Sequence, residues 1–333
     1  MEDMGSVKRG AAKWGRRAVA ATVLMAAAFF ILRGCAFMPW NERKADVRVR
    51  VTVSRGFGAE VMKDERFGVR EGESAMRALE RVAEVETAYG GGFIQAVNGL
   101  ASRYEGGAGS KVDWFFYVNG QMADTGAGAY TVREGDWLIF DFHSWDYAMF
   151  TPLLAGCFPE PFVHGYGGAP PGVVVAHAAG REGEAAEIAG LLERAGAAPC
   201  RSVPLTRDWM PEPGEYAVVV GTFEELEVNA AIREANLNPS RTGLFAYFRE
   251  GELWLTDASG EVMRHLAGGA GLVEALGPRL GDGRTSLMVT GTDGDGLREA
   301  LALLARNLEG DAPPVPALAA LAGEGPLDVP QGR

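Results

Sequence analysis

Polar and apolar residues alternate in the stretch DVRVRVTVS. Val47, Val49, Val51 and Val53 stand against Asp46, Arg48, Arg50 and Thr52. Successive side chains of a strand point to opposite faces, so this period predicts a half-buried strand. RGFG turns the chain into a second strand that ends at Phe67, Gly68 and Val69. After the turn REGES the period becomes helical. Met76, Leu79, Val82 and Ala83 make one apolar stripe, with Ser74 placed to cap the helix. YGGG breaks that element, and FIQAVNGL reads as a strand and a turn. DWFFYVNGQM reads as a hairpin, because Asn-Gly suits a two-residue turn. In its first strand Trp114, Phe116 and Val118 share one face, and Phe115 and Tyr117 the other. GDWLIFDFHSW is the last strand of this region. Leu138, Phe140 and Phe142 form its core face, and Trp137, Ile139, Asp141, His143 and Trp145 a mixed aromatic and polar face.

Beyond residue 171 the pattern changes. Continuous apolar runs, GVVVAHA, EYAVVVGT and SLMVTGT, alternate with helical patterns such as EAAEIAGLLERAGA and DGLREALALLARN. Strands buried on both faces, separated by amphipathic helices, predict a mostly parallel sheet in an α/β layered domain. GLFAYFREGELWLTD predicts a hairpin, and EVMRHLAGGAGLVEAL a helix. The division expected is a signal peptide or signal anchor (1–44), a β-rich domain (45–150), a linker (151–171), an α/β domain (172–309) and a Pro/Gly/Ala-rich tail without fixed structure (310–333).

Charge sharpens the first boundary. Residues 1–44 carry eight Lys/Arg and three acids, a net of +5. The whole chain is −12, which leaves −17 for the remainder. A body so acidic repels phosphate backbones, which argues against a nucleic-acid partner. The basic flank precedes an apolar run at 18–32, AVAATVLMAAAFFIL. That run, continued through Arg33 to Trp40, is long enough to cross a bilayer, with Arg33 snorkelling and Trp40 in the headgroups. Positive charge before the run predicts a cell-membrane protein with an extracytoplasmic body. ILRGC at 31–35 is close to a lipobox, but Arg33 departs from that pattern and favours an uncleaved anchor. Outside the cytoplasm Cys157 and Cys200 either pair or remain two unpaired thiols.

Candidate chemistry is sparse. His143, His164, His177 and His265 lie far apart, with none of the spacings of a zinc site. TGTDGDGLREA has neither a Gly-x-Gly-x2-Gly order nor a P-loop lysine, so helix capping by Asp293 or Asp295 explains it better than phosphate binding. The mixed face of GDWLIFDFHSW is the stronger signal, since aromatic area with a few polar groups is what a ligand platform or a partner interface presents. Strand faces and turns together give the candidate ligand-binding set Tyr89, Trp114, Phe116, Tyr117, Asn119, Asp141, His143 and Trp145. No nucleophile motif accompanies it, which argues against an enzyme.

The segment SAMRALERVAEVETAYGGGFIQAVNGL, followed by DWFFYVNGQMADTGAGAYTVREGDWLIFDFHSW, resembles the transcobalamin C-terminal-like domain of bacterial surface proteins. The helix after REGES, the YVNG hairpin and the REGDWL turn into the last strand carry the resemblance. It implies an α+β, β-grasp-like fold of the soluble-ligand-binding kind, followed by an extracytoplasmic second domain, with energy-coupling-factor transport as context. It also implies a corrinoid-like ligand, cobalamin being the candidate, although the α-barrel that opposes this domain in transcobalamin has no counterpart here. The expectation is an anchored binding protein whose partner is a small molecule or a surface or transport protein. The alternatives are a cell-surface assembly module and an enzyme with its site at Gly221-Thr222 and Gly291-Thr292 of the α/β domain. One face of the Trp114 strand is expected on the Met76/Leu79/Val82 helix, the other under a second small sheet or a bound partner.

Overall fold

The computed structural model describes residues 46–89, 92–104, 111–168, 170–276, 285–309, 317, 319–321 and 325–326. The predicted anchor at 1–44 and Cys35 lie outside these residues. Among the described residues no helix is long and apolar enough to cross a membrane. The described residues form one compact unit of mixed α+β structure, rich in sheet.

Its first half holds β1 (Asp46–Arg55), β2 (Glu60–Arg70), α1 (Ala75–Leu79), β3 (Val85–Ala88), β4 (Phe93–Val97), β5 (Leu100–Ala101), β6 (Arg103–Tyr104), β7 (Lys111–Val118), β8 (Gln121–Met122) and β9 (Trp137–Ser144). The main sheet runs β2-β1-β9-β7-β6, with β8 paired to β7. β1 and β9 are parallel, and the other neighbours along this path are antiparallel. Met76 and Leu79 of α1 pack with Trp114, Phe116 and Val118 in one core. Ser74 caps α1 by accepting from the Arg77 amide. The helix stops at Leu79, short of the expected stripe through Val82 and Ala83, although both still pack against the same core. Asn119 and Gly120 have φ of 51° and 76°, the positive values a two-residue turn demands.

β1 departs from the half-buried strand that its alternation predicts. Its polar positions Arg50, Thr52 and Ser54 are buried as well as its valines. The guanidinium of Arg50 donates to both carboxylate oxygens of Asp64 at 2.8 and 2.9 Å and lies 3.8 Å from the Trp137 ring centroid. Thr52 donates to Asp64 and accepts from the Trp137 indole, both at 2.8 Å. Partners within the chain let this polar face be covered at little cost.

The second half contains β10 (Gly172–His177), α2 (Glu182–Ala195), β11 (Arg201–Pro204), β12 (Glu215–Val220), α3 (Phe223–Leu226), α4 (Ala230–Leu237), α5 (Pro239–Thr242), β13 (Ala246–Arg249), β14 (Glu252–Thr256), β15 (Val262–Leu266), β16 (Gly271–Leu276), β17 (Thr285–Gly291), α6 (Gly294–Glu309), β18 (Ala319–Leu321) and β19 (Gly325–Pro326). The large sheet runs β11-β10-β12-β17-β16-β18-β19. It is parallel from β11 to β17 and antiparallel beyond. Helices α2 and α6 cover one face. Residues of α3, α4 and the β13–β14–β15 sheet pack in the core on the other.

Two expectations for this half are corrected. Residues 261–276 form no helix but the strands β15 and β16. All six residues of β16 are buried between two layers, and such a run satisfies helix and strand periods alike until its neighbours are known. The tail is not wholly without structure, because Ala319–Leu321 pairs with β16 and Gly325–Pro326 with β18.

The two halves share one core. Phe57, Tyr117, Trp137 and Ile139 pack in the same cluster as Leu244, Phe245, Leu253 and Met288. Segment 151–171 runs between them. Leu154 and Cys157 join this shared core, while Leu153, Phe158 and Phe162 join the core under α2. Cys157 and Cys200 are both free thiols.

Candidate functional site

On the mixed face of β9, Asp141 and His143 are enclosed by the chain's own first half, while Trp137 and Ile139 join the core shared with the second. Asp141 and His143 are buried, with His143 only 1% exposed. The imidazole is sandwiched between Phe57 at 3.9 Å and Phe115 at 4.1 Å, centroid to centroid, and Phe245 lies 5.2 Å beyond Phe57. His143 Nδ1 stands 2.8 Å from Asp141 Oδ2. Asp141 also accepts from the Ser54 hydroxyl at 2.6 Å and from the amides of Phe57 and Gly58 at 2.8 and 3.0 Å. Burial pushes the Asp141 carboxyl up, but the hydrogen bond and charge of His143, with the Ser54 and Gly58 donors, outweigh it and hold the pKa below the ordinary range. Ser54 spends its proton on the carboxylate instead of meeting the imidazole, so this is no nucleophile–base pair.

The structure brings three of the eight candidate residues together: Tyr117, Asp141 and His143, whose side chains are enclosed. Tyr117 Oη is buried without a hydrogen-bond partner. Trp114 lies in the first-half core and donates from its indole to Leu100 O at 2.9 Å, while Phe116 stacks on Phe140 at 4.9 Å. Asn119 is a turn residue whose side chain accepts from the Trp137 amide and donates to Gly165 O, both at 2.7 Å. Tyr89 is 91% exposed, and Trp145 is half-buried against Tyr104 at 5.9 Å. The open platform expected on β9 is absent. Every acceptor direction of Asp141 faces a donor of the chain, and both faces of the imidazole are occupied, so these residues offer no surface to a planar cofactor as they stand.

The strand-end motifs are caps. Thr222 and Glu225 form a capping box on α3, and Asp293 accepts from the Gly296 amide at 2.9 Å at the start of α6. Near these ends a recess of about 510 Å³ is walled largely by exposed charged side chains, among them Glu224, Glu227, Arg233 and Glu250.

A better-formed cleft lies beneath α4 and α5, with a volume of about 330 Å³. Its apolar walls come from Trp209, Pro211, Val219, Ile232, Ala235 and Leu276. Asn229 builds this corner. It caps α4 by accepting from the Ala231 and Ile232 amides, and its amide donates to Thr206 O and Trp209 O, which ties the aromatic loop to the helix. The Thr242 hydroxyl is likewise spent, within 3.0 Å of the carbonyls of Ala235 and Asn238. Other polar groups are uncommitted. The Arg241 guanidinium has no hydrogen bond or ion pair among the described residues, and neither does the Ser286 hydroxyl, although Ser286 is only 9% exposed. Glu234 accepts from the Asn238 amide at 3.0 Å and has no cationic partner among the described residues. None of these residues belongs to the set read from the sequence. The signals were an aromatic in a Pro-rich loop, DWMPEPG, and the Asn-Pro break at 238–239 that turns α4 into α5.

On the same face of the large sheet, in β16, Glu274 is 1% exposed. One of its oxygens accepts from the Phe245 and Ala246 amides at 3.0 and 3.2 Å, and the other has no partner. Burial raises its pKa to about 8 against the pull of those amides.

Residues 72–144 match the model of a family described as a domain of unknown function, DUF4430, inside the segment that resembles the transcobalamin C-terminal-like domain. Solved structures similar to the chain include haptocorrin in complex with Cbi, at 18% identity and a TM-score of 0.25, covering 31% of this chain and 26% of that one. A protein from Ruminococcus gnavus ATCC 29149 to which metal binding is ascribed is similar at 19% identity and a TM-score of 0.23, covering 29% of this chain and 97% of that one. The chain thus spans about a quarter of the haptocorrin chain it matches. No curated protein gives a match.

Proposed function

We propose that the chain is a membrane-anchored, extracytoplasmic, non-enzymatic binding protein, and that its ligand site is the cleft beneath α4 and α5. The observation that carries this reading is the cleft itself. It is preformed, apolar and within the usual size range of small-molecule sites, with uncommitted polar groups on its walls. The use of Thr222 and Asp293 as helix caps supports the non-enzymatic part of the reading. The basic flank and apolar run at 18–32 support the anchor and the outward-facing body. The β-grasp-like identity of the first half and a link to transport rest on the transcobalamin resemblance.

Trp209 lines the cleft and reports on it. Titration of the detergent-solubilised full chain with small apolar probes should quench tryptophan fluorescence, and Trp209→Phe should remove the change. A quench that persists in Trp209→Phe would place binding elsewhere. The corrinoid version is tested by adding cobinamide and following its visible absorbance, since an unchanged spectrum at tens of micromolar would end it. Activity of a reporter fused after Arg333 in the cytoplasm would overturn the topology.

A second reading, a surface assembly module, is favoured by one feature. Tyr104, largely exposed, stacks on Trp145, with Lys111 Nζ 5.4 Å from the Trp145 ring centroid. Loss of a cell-surface partner on Tyr104→Ser, with the cleft intact, would favour it.

A further inference from the structure

We infer that the cleft beneath α4 and α5 takes a zwitterion with an apolar body, an α-amino acid with a large aliphatic or aromatic side chain. This rests on the reading of the cleft as a ligand site. The charged side chains lining it are of opposite sign, Glu234 on α4 and Arg241 on α5, and neither is ion-paired among the described residues. They are not paired with each other either, although both line one cavity.

A helix break lies between them. Asn238 ends α4 and precedes Pro239 of α5, and its amide donates to both the Glu234 carbonyl and the Glu234 carboxylate, at 3.1 and 3.0 Å. The carboxylate is therefore held toward its own helix, with one oxygen lacking a partner among the described residues. The Arg241 guanidinium, a planar fork suited to a carboxylate, has no partner among the described residues. A ligand with one charge would meet one of these groups well and the other badly. A ligand carrying an ammonium and a carboxylate on one carbon satisfies both, and its side chain can enter the apolar part of the cleft between Trp209, Ile232 and Leu276. The net charge of the filled mouth then stays zero, which avoids burying an unmatched charge.

The test uses the detergent-solubilised full chain, with Trp209 fluorescence and calorimetry as readouts. L-Phenylalanine is compared with N-acetyl-L-phenylalanine, which lacks the ammonium, and with L-phenylalaninamide, which lacks the carboxylate. Free phenylalanine should bind at least tenfold more tightly than either derivative. Arg241→Gln should weaken phenylalanine about tenfold and leave the amide unchanged. Glu234→Gln should weaken phenylalanine and leave the N-acetyl compound unchanged. Equal binding of phenylalanine and its N-acetyl derivative would overturn the inference in favour of a simple anion. Binding of an uncharged apolar probe such as 1-naphthol with no binding of phenylalanine would overturn it too, while leaving the cleft as a ligand site. Failure of every probe would remove both the inference and the reading beneath it.

Discussion

The Asp141–His143 pair and the cleft beneath α4 and α5 both set polar groups against aromatic side chains, and they differ in what satisfies those groups. Around Asp141 the chain supplies the imidazole, a hydroxyl and two amides. Around the cleft the chain spends Asn229 and Thr242 on its own backbone, while the side chains of Arg241 and Ser286 have no partner among the described residues. A buried charge that is fully matched inside the fold is spent on the packing around it, here within the first half. A charge left unmatched beside an apolar cavity is available to something else.

The contrast breaks most sharply at Asp141. Asp141→Ala would leave the Ser54 hydroxyl and two amides without their acceptor and the imidazole without its partner. Losing one member of such a buried network costs about 3–5 kcal/mol, read as a shift in the denaturation midpoint of the full chain. A loss below about 1 kcal/mol would mean that water enters and satisfies the groups left behind. Because the folded pKa of Asp141 is lowered, its contribution is present above the ordinary carboxylate range and disappears as acid protonates it.

Glu274 shows the opposite sign. Its folded pKa is raised from 4.5 to about 8, so the stability it contributes is complete below pH 4.5 and is lost as the pH climbs through 8. Across that window the loss is on the order of a few kcal/mol. Glu274→Gln keeps an acceptor for the Phe245 and Ala246 amides, and should flatten the decline measured by denaturation at a series of pH values. A slope unchanged by the substitution would assign the pH dependence to other groups.

Gly120→Val is the next step down. At φ 76° a β-branched residue is strained, and a Cβ built there would lie 2.7 Å from Cys157 Cβ. The expected cost is about 1–3 kcal/mol. A wild-type midpoint would mean that the turn relaxes away from segment 151–171. The smallest effect belongs to an exposed group, Arg241. Arg241→Gln should shift stability by less than about 0.5 kcal/mol. A larger loss would turn Arg241 from a binding group into a structural one.

Local pattern reached a good part of this fold. The valine alternation located β1, Asn119-Gly120 located the hairpin turn, and Ser74 marked the start of α1, because each depends on residues within a turn's length. The capping role of Asp293 was legible for the same reason. Residues 271–276 were not, because a run buried on both sides carries no single period, and the exposed strand β15 before it was read into the same helix. The cleft was not legible either, since Trp209, Leu276 and Ser286 come from three separate segments and meet only when β12, β17 and β16 align.

What the sequence determined by itself, then, is which faces are apolar, where the chain turns, and that one strand bears apolar groups on one side and an aspartate and histidine among aromatics on the other. What covers that second side was decided by tertiary structure. Phe57 and Phe115 enclose the His143 ring, Phe245 packs behind Phe57, and Leu154 and Cys157 join Tyr117 and Ile139 in one core. A mixed face offers the same atoms to a ligand, a partner or the rest of its own chain. The choice falls to whichever is held at high local concentration with its hydrogen bonds already aligned, and here that is the same chain, through Ser54, Phe57, Gly58 and Phe115.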